Sequence, residues 1–190
     1  NVGFTQDDQG NLVAGTGAGA AKDADTCFNI MLGCNSGAAL NEGDHNVFLG
    51  SCAGKNTTSG NSNVAIGKQA GEDLNGSFNF FGGYRAARNL TTGSYNVALG
   101  TLVMASCAVT GSNNVAIGKY AGKLLNSGAY NTFIGQCSGK CNTSGSNNVA
   151  IGRLSLGDNG VTGNSNIAIG RYTGQKLTSG TSNILIGECT

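Results

Sequence analysis

The chain of 190 residues contains no proline and no tryptophan, and only 11% of its side chains are charged. Without proline, and with glycine that does not fall at every third residue, a collagen-type triple helix is excluded. The low charge does not signal disorder, because 39% of residues are hydrophobic and the net charge is +1; such a chain can bury enough apolar surface to order itself. That near-neutral balance gives no reason to expect a nucleic-acid partner. No stretch approaches the ~18 consecutive apolar residues of a membrane helix, so no membrane insertion is expected. Histidine occurs once, at His45, and no paired Cys-x-x-Cys is present, which argues against a zinc site. A nucleophile–histidine pair would have to use His45, and no Gly-rich segment ends in the Gly-Lys-Ser/Thr of a phosphate-binding loop. The expectation is a non-enzymatic protein with no catalytic residue, cofactor or metal. The first residue is Asn1 and no basic-plus-apolar leader follows, which reads as a processed chain or an excised segment.

Glycine and asparagine are abundant instead, at 33 and 24 residues. Glycine at more than twice its usual share argues against an ordinary helical or doubly wound domain. It is also periodic. The pentapeptide Asn-Val-Ala-Ile-Gly recurs with variants eleven times, its asparagine at Asn11, Asn29, Asn46, Asn63, Asn79, Asn96, Asn114, Asn131, Asn148, Asn166 and Asn183. The spacing is 16 to 18 residues, and the fifth position is glycine in every copy, from Gly15 to Gly187. From Asn29 onward a second glycine closes each unit, and every change of length falls just before it, as in a surface turn that tolerates insertion.

A unit of this size cannot fold alone and must stack on its neighbours. Its β-branched, glycine-bounded pentapeptide reads as a short strand, and two or three glycines per unit, each costing ~1 kcal/mol against alanine in a helix, disfavour the alternative. The expected fold is all-β: a β-solenoid or β-roll with one coil per repeat. About 11 coils stacked at ~4.8 Å would make a rod roughly 50 Å long. Residues 1–28 read as an N-terminal cap containing a degenerate first repeat, with a partial strand at Asn1-Val2-Gly3-Phe4, and residues 29–190 as the regular solenoid.

Numbering the asparagine as position 1, positions 2 and 4 carry an aliphatic stripe (Val64 and Ile66, Val115 and Ile117, Ile167 and Ile169) that is expected to face the coil interior. Leu40, Leu74, Leu90, Leu125 and Leu177 at position 12 would close that core from the opposite wall, with Cys107 as a small core residue. Gly82, in the copy Asn79-Phe80-Phe81-Gly82-Gly83, would leave a gap for Phe80 to fill. Position 3 points the other way yet is also apolar, so it is expected to meet a sister chain through Met31, Phe48, Phe81, Phe133 and Leu185, since a strand apolar on both faces is buried on both. Position 1 would form a ladder of stacked amides through Asn29, Asn46, Asn63, Asn79, Asn96, Asn114, Asn131, Asn148, Asn166 and Asn183, each bonding its own turn and the next asparagine. From Asn29 onward positions 6 and 10 hold most of the charges (among them Lys68, Lys119, Arg153, Arg171, Glu72, Arg88 and Lys123) and read as a solvent-facing stripe.

Among the seven cysteines, Cys34 and Cys52 lie one coil apart at nearly the same position and are candidates for a disulfide; Cys137 and Cys141 could bridge a turn. Cys27 and Cys189 sit near opposite ends, where stacking could join two molecules. Residues 1–76 balance at −5 and residues 77–190 at +6, a polarity that would suit end-to-end docking of rods.

The unit resembles the GxxNTAIGxxAL…TTG repeats of phage-type tail-fibre proteins, and is similar to the shorter SVAIG repeats of trimeric autotransporter adhesin heads. Gly111-Ser112-Asn113-Asn114-Val115-Ala116-Ile117-Gly118 carries the likeness, which covers about residues 29–190. The resemblance implies a homotrimeric fibre, extracellular, at the cell surface or on a virion, with a host-surface glycan or receptor as a partner besides the chain itself. The chain departs from the pattern in its cysteine content and in that the sequence shows no chaperone-like domain after the repeats, which reads as one removed after trimerisation or one that never existed. The competing reading is a monomeric solenoid that holds ice or glycans on Thr/Ser/Asn rows such as Thr57-Thr58-Ser59, Thr91-Thr92, Thr143-Ser144 and Thr178-Ser179; a turn-forming role for these residues competes with it.

Overall fold

The three residues after each motif asparagine form a strand, and the strands are β1 (Leu12–Ala14), β2 (Ile30–Leu32), β3 (Val47–Leu49), β4 (Val64–Ile66), β5 (Phe80–Gly82), β6 (Val97–Leu99), β7 (Val115–Ile117), β8 (Thr132–Ile134), β9 (Val149–Ile151), β10 (Ile167–Ile169) and β11 (Ile184–Ile186). The computed structural model describes residues 6–106, 108–157 and 160–190; the partial strand expected at residues 1–4 and the core role expected of Cys107 lie outside them. All eleven strands pair in parallel in sequence order, position for position, so Val47 lies on Val64 and Phe48 on Ala65. Each coil therefore sits directly above the one before, a parallel β-solenoid with no helix among the described residues. The degenerate first copy joins the same sheet through β1.

Glycine at position 5 turns the chain off the strand. Gly50 has φ 136°, and a Cβ there would meet the carbonyl of Gly67 in the next coil at 2.6 Å. A side chain would thus clash with the stacked backbone as well as strain the turn.

The core is one side chain deep. Met31, Phe48, Ala65, Phe81, Ala98, Ala116, Phe133, Ala150 and Ala168, all at position 3, are fully buried. They meet positions 8, 9 and 12 of the facing wall, where Ala53, Ala70, Met104, Leu156, Leu40, Leu74, Leu90 and Leu125 are buried too. Volumes compensate across this gap. Phe48 lies against Gly54, and Phe133 against Gly122 and Gly139, whereas Ala98 and Ala150 belong to the coils that carry Met104 and Leu156 at position 9. A single layer must be filled to near-crystalline density; where both walls are small, as at Ala65 with Gly71, Ala116 with Gly122 and Ala168 with Gly174, a large side chain of an adjacent coil, Phe81, Phe133 or Leu156, reaches the glycine.

Two long coils recover their register in a way the repeat pattern hides. Val109 pairs with Leu90 and Val161 with Asn142, and both valines are fully buried. Val109 stands 19 residues after Leu90 and Val161 19 after Asn142, two more than the regular spacing of 17, and both valines take the place that leucine holds in regular coils.

Candidate functional site

The expectation about the two strand faces is reversed. Position 3 faces inward, so Met31, Phe48, Phe81 and Phe133 are core residues and cannot be an oligomer contact, while Leu185 is half-buried in the last coil. Positions 2 and 4 face outward. Ile66, Ile117, Ile134, Ile151 and Ile169 are 36–42% exposed, and Phe80 stands on this outer wall beside Gly82 instead of filling a core gap. The physical reason is width: a coil this narrow admits one inward side chain per strand, and the position whose size varies with the facing glycine is the one that fits. The outer wall is then the face of a parallel sheet with mostly β-branched side chains, eleven strands tall.

Asparagine at position 1 is satisfied three ways. Oδ1 of Asn29 accepts the backbone N–H of Asn46 at 2.8 Å and its side-chain amide at 3.1 Å, and the Asn46 amide donates to Gly60 O in its own coil at 2.7 Å. The backbone contact repeats at Asn29, Asn63, Asn79, Asn96, Asn114, Asn131, Asn148, Asn166 and Asn183. At the N-terminal end Asp7 substitutes for the asparagine of a preceding coil: its Oδ1 accepts the Asn11 N–H at 2.8 Å. Burial raises the Asp7 pKa, but the hydrogen bonds from Lys22 and Asn11 outweigh it and the net shift is downward.

A second ladder runs two residues before each asparagine. Cys27 N–H donates to Asp44 Oδ1, Asp44 to Asn61 Oδ1, Asn61 to Ser77 Oγ, Ser77 to Ser94 Oγ and Ser94 to Ser112 Oγ. It resumes from Ala129 to Ser146 and from Ser146 to Asn164. The sequence signal was the recurrence of short oxygen-bearing side chains at that place, less uniform than the asparagine and so overlooked.

No disulfide joins the expected cysteine pairs: Cys34, Cys52 and Cys137 carry free thiols. Cys52 N–H donates to Cys34 O at 2.8 Å, so the two backbones stack, but the residues are one position out of register. Burial, and then the carboxylates of Asp44 and Asp25, raise the Cys27 thiol pKa. The hydroxyl-bearing residues at positions 13 and 14 sit in turns: Thr58 Oγ1 donates to Asn75 Oδ1, and Thr143 O accepts both Asn126 and Ser127 N–H. Among the charged positions Glu72 differs from expectation, being 6% exposed and held by Arg88 and Gln69. Among the described residues no group of three His, Cys, Asp or Glu side chains could hold a metal ion, and no helix is long and apolar enough to cross a membrane.

The arrangement defines the chain as a parallel β-solenoid repeat protein. Compared with family models, curated proteins and solved structures, it matches none.

Proposed function

We propose that the protein is a non-enzymatic structural fibre in which identical chains, three to an assembly, bury the outer wall of positions 2 and 4 against one another, as the resemblance to tail-fibre and adhesin-head repeats implies. The observation that carries this reading is the wall itself. Eleven strands at ~4.8 Å and three residues across make an apolar surface on the order of 500 Å², at the upper end of what monomers leave uncovered. Parallel sheets are normally covered on both faces. The setting is extracellular, at a cell surface or on a virion. The opposite charge balance of residues 1–76 and 77–190 suits end-to-end extension of the rod.

Light scattering or sedimentation equilibrium at micromolar concentration tests the reading. The expected mass is three times the 19.0 kDa of the chain, falling to the single-chain value when Ile117 and Ile151 are replaced by serine. A parent protein that is monomeric under those conditions overturns it.

A further inference from the structure

Every basic residue after residue 76 stands at positions 6 to 11, on the wall opposite the sheet: Arg85, Arg88, Lys119, Lys123, Lys140, Arg153, Arg171 and Lys176. The opposition follows from the core, since the Gly54 backbone at position 9 lies across the coil against the ring of Phe48. The polarity seen along the sequence is therefore also a polarity of sides. Four successive coils, those beginning at Asn114, Asn131, Asn148 and Asn166, each contribute a cation to this face.

These cations are organised by tyrosines. Lys119 and Lys123 lie 5.1 Å and 4.9 Å from the Tyr120 ring centroid, and Arg153 and Arg171 lie 5.4 Å and 4.6 Å from that of Tyr172. Arg85 lies 5.0 Å from the Tyr84 ring. Arg153 also donates to the Tyr172 hydroxyl at 2.7 Å. Among the described residues the carboxylates on this wall are Glu72, held by Arg88, Asp73, held by Asn56, and Glu188, held by Arg171; Glu72 and Asp73 lie in the coil of Asn63, and from the coil of Asn114 onward Lys119, Lys123, Lys140, Arg153 and Lys176 are left to define its potential. The hydrogen bond from Arg171, with further help from Arg153, holds the Tyr172 phenol below its ordinary pKa, as a positive environment should.

We infer that this wall binds an acidic polysaccharide, a polymer with one carboxylate per sugar ring, laid along the rod axis across the coils from Lys119 to Lys176. The cations fall in two interrupted columns, Lys119, Arg153 and Arg171 at position 6 and Lys123 and Lys140 at position 10, so a chain lying across both columns meets one in each coil of the ~4.8 Å stack, which suits a ligand whose charges recur at every pyranose. Single-stranded nucleic acid fits less well, because base stacking needs an open aromatic face and the faces of Tyr120 and Tyr172 are taken by the protein's own cations. The inference holds for a single rod as well as for an assembly, and the mass measurement above fails or succeeds separately from it.

The test is binding of fluorescently labelled alginate, with neutral dextran and oligodeoxythymidylate as comparison polymers. Alginate is expected to bind at about 50 mM salt and to weaken steeply as the Debye length shrinks, while dextran does not bind. The variant K119Q/K140Q/R153Q is expected to lose about fivefold or more in affinity, with Lys55→Gln, four coils away, unchanged. Circular dichroism verifies that the variant is folded; if it is not, K119Q/K123Q carries the same test. No binding of alginate at low salt, a smaller loss in the folded variant, or tighter binding of the oligonucleotide than of alginate overturns the assignment.

Discussion

Asn29 and Asn46, 17 residues apart, share one oxygen: Oδ1 of Asn29 accepts the Asn46 backbone N–H and the Asn46 amide together. Each rung thereby fixes the next coil's entry into its strand. The ladder runs in one direction, each asparagine accepting from the coil that follows.

Removing a rung in mid-rod should be costly. Asn114 Oδ1 accepts Asn131 N–H at 2.9 Å and its amide at 3.0 Å, while the Asn114 amide donates to Asn96 Oδ1 and Gly128 O. Asn114→Ala leaves several of these groups buried without partners and should destabilise by about 2–4 kcal/mol, read as a lower midpoint in urea unfolding. A change under ~0.5 kcal/mol would show that the stacked strands hold without the amides.

The second ladder has a missing rung. Ala129 stands where Ser94, Ser112 and Ser146 offer an oxygen, so the Ser112 N–H meets no side-chain acceptor there. Ala129→Ser should supply it and stabilise by about 1 kcal/mol, seen as a raised melting temperature; a neutral or lowered value refutes the assignment of that row.

The core row at position 12 contains a misfit. Asn142 is fully buried with neither amide atom hydrogen-bonded, and Thr57 Oγ1 is in the same state, where Leu40, Leu74, Leu90 and Leu125 serve other coils. Asn142→Leu should stabilise by about 1–3 kcal/mol by replacing an unsatisfied amide with apolar surface. Chemical denaturation decides it, and destabilisation would mean that the site cannot take the added volume.

The repeat, the parallel stacking and the asparagine ladder were legible because each coil repeats them at one place. The inward face was not. Val64-Ala65-Ile66 is apolar at all three positions, so alternation gives no parity, and choosing the bulkier pair as core follows burial tendency but ignores coil width. The discriminating signal was complementary size: Phe48 with Gly54 and Phe133 with Gly139, against Ala98 with Met104 and Ala150 with Leu156. Met104 and Leu156 keep that fit at φ 44° and 49°, a left-handed backbone that costs an L-residue ~1–2 kcal/mol and that burial of the side chain offsets. Val109 and Val161 were illegible for another reason, since an insertion shifts them out of the numbered row that they fill.

That fit predicts the effect of a single methyl. Gly54 has φ 58°, and an added Cβ would lie 2.6 Å from Cδ2 and Cε2 of Phe48. Gly54→Ala should destabilise by about 2–4 kcal/mol through strain and overpacking together. The double variant with Phe48→Ala should recover part of the loss that the clash causes, so an additive double-mutant cycle would deny that the two residues touch.

Asp7 makes the N-terminal coil sensitive to acid. Its pKa is lowered in the fold from the ordinary aspartate value of 3.8, so it binds fewer protons folded than unfolded near that value. The stability it contributes is present above pH 3.8 and is lost as pH falls through the lower folded value. Lys22, 2.9 Å away, and the Asn11 N–H are the groups that lose their acceptor. Hydrogen exchange at Asn11 and Leu12 should therefore accelerate, relative to intrinsic rates, as pH is lowered from 5 to about 3, while β6 and β7 in mid-rod stay protected. In Asp7→Ala the N-terminal coil should be frayed already at neutral pH, with little further dependence on acid. Equal acid sensitivity in the parent and Asp7→Ala would assign the effect to another carboxylate.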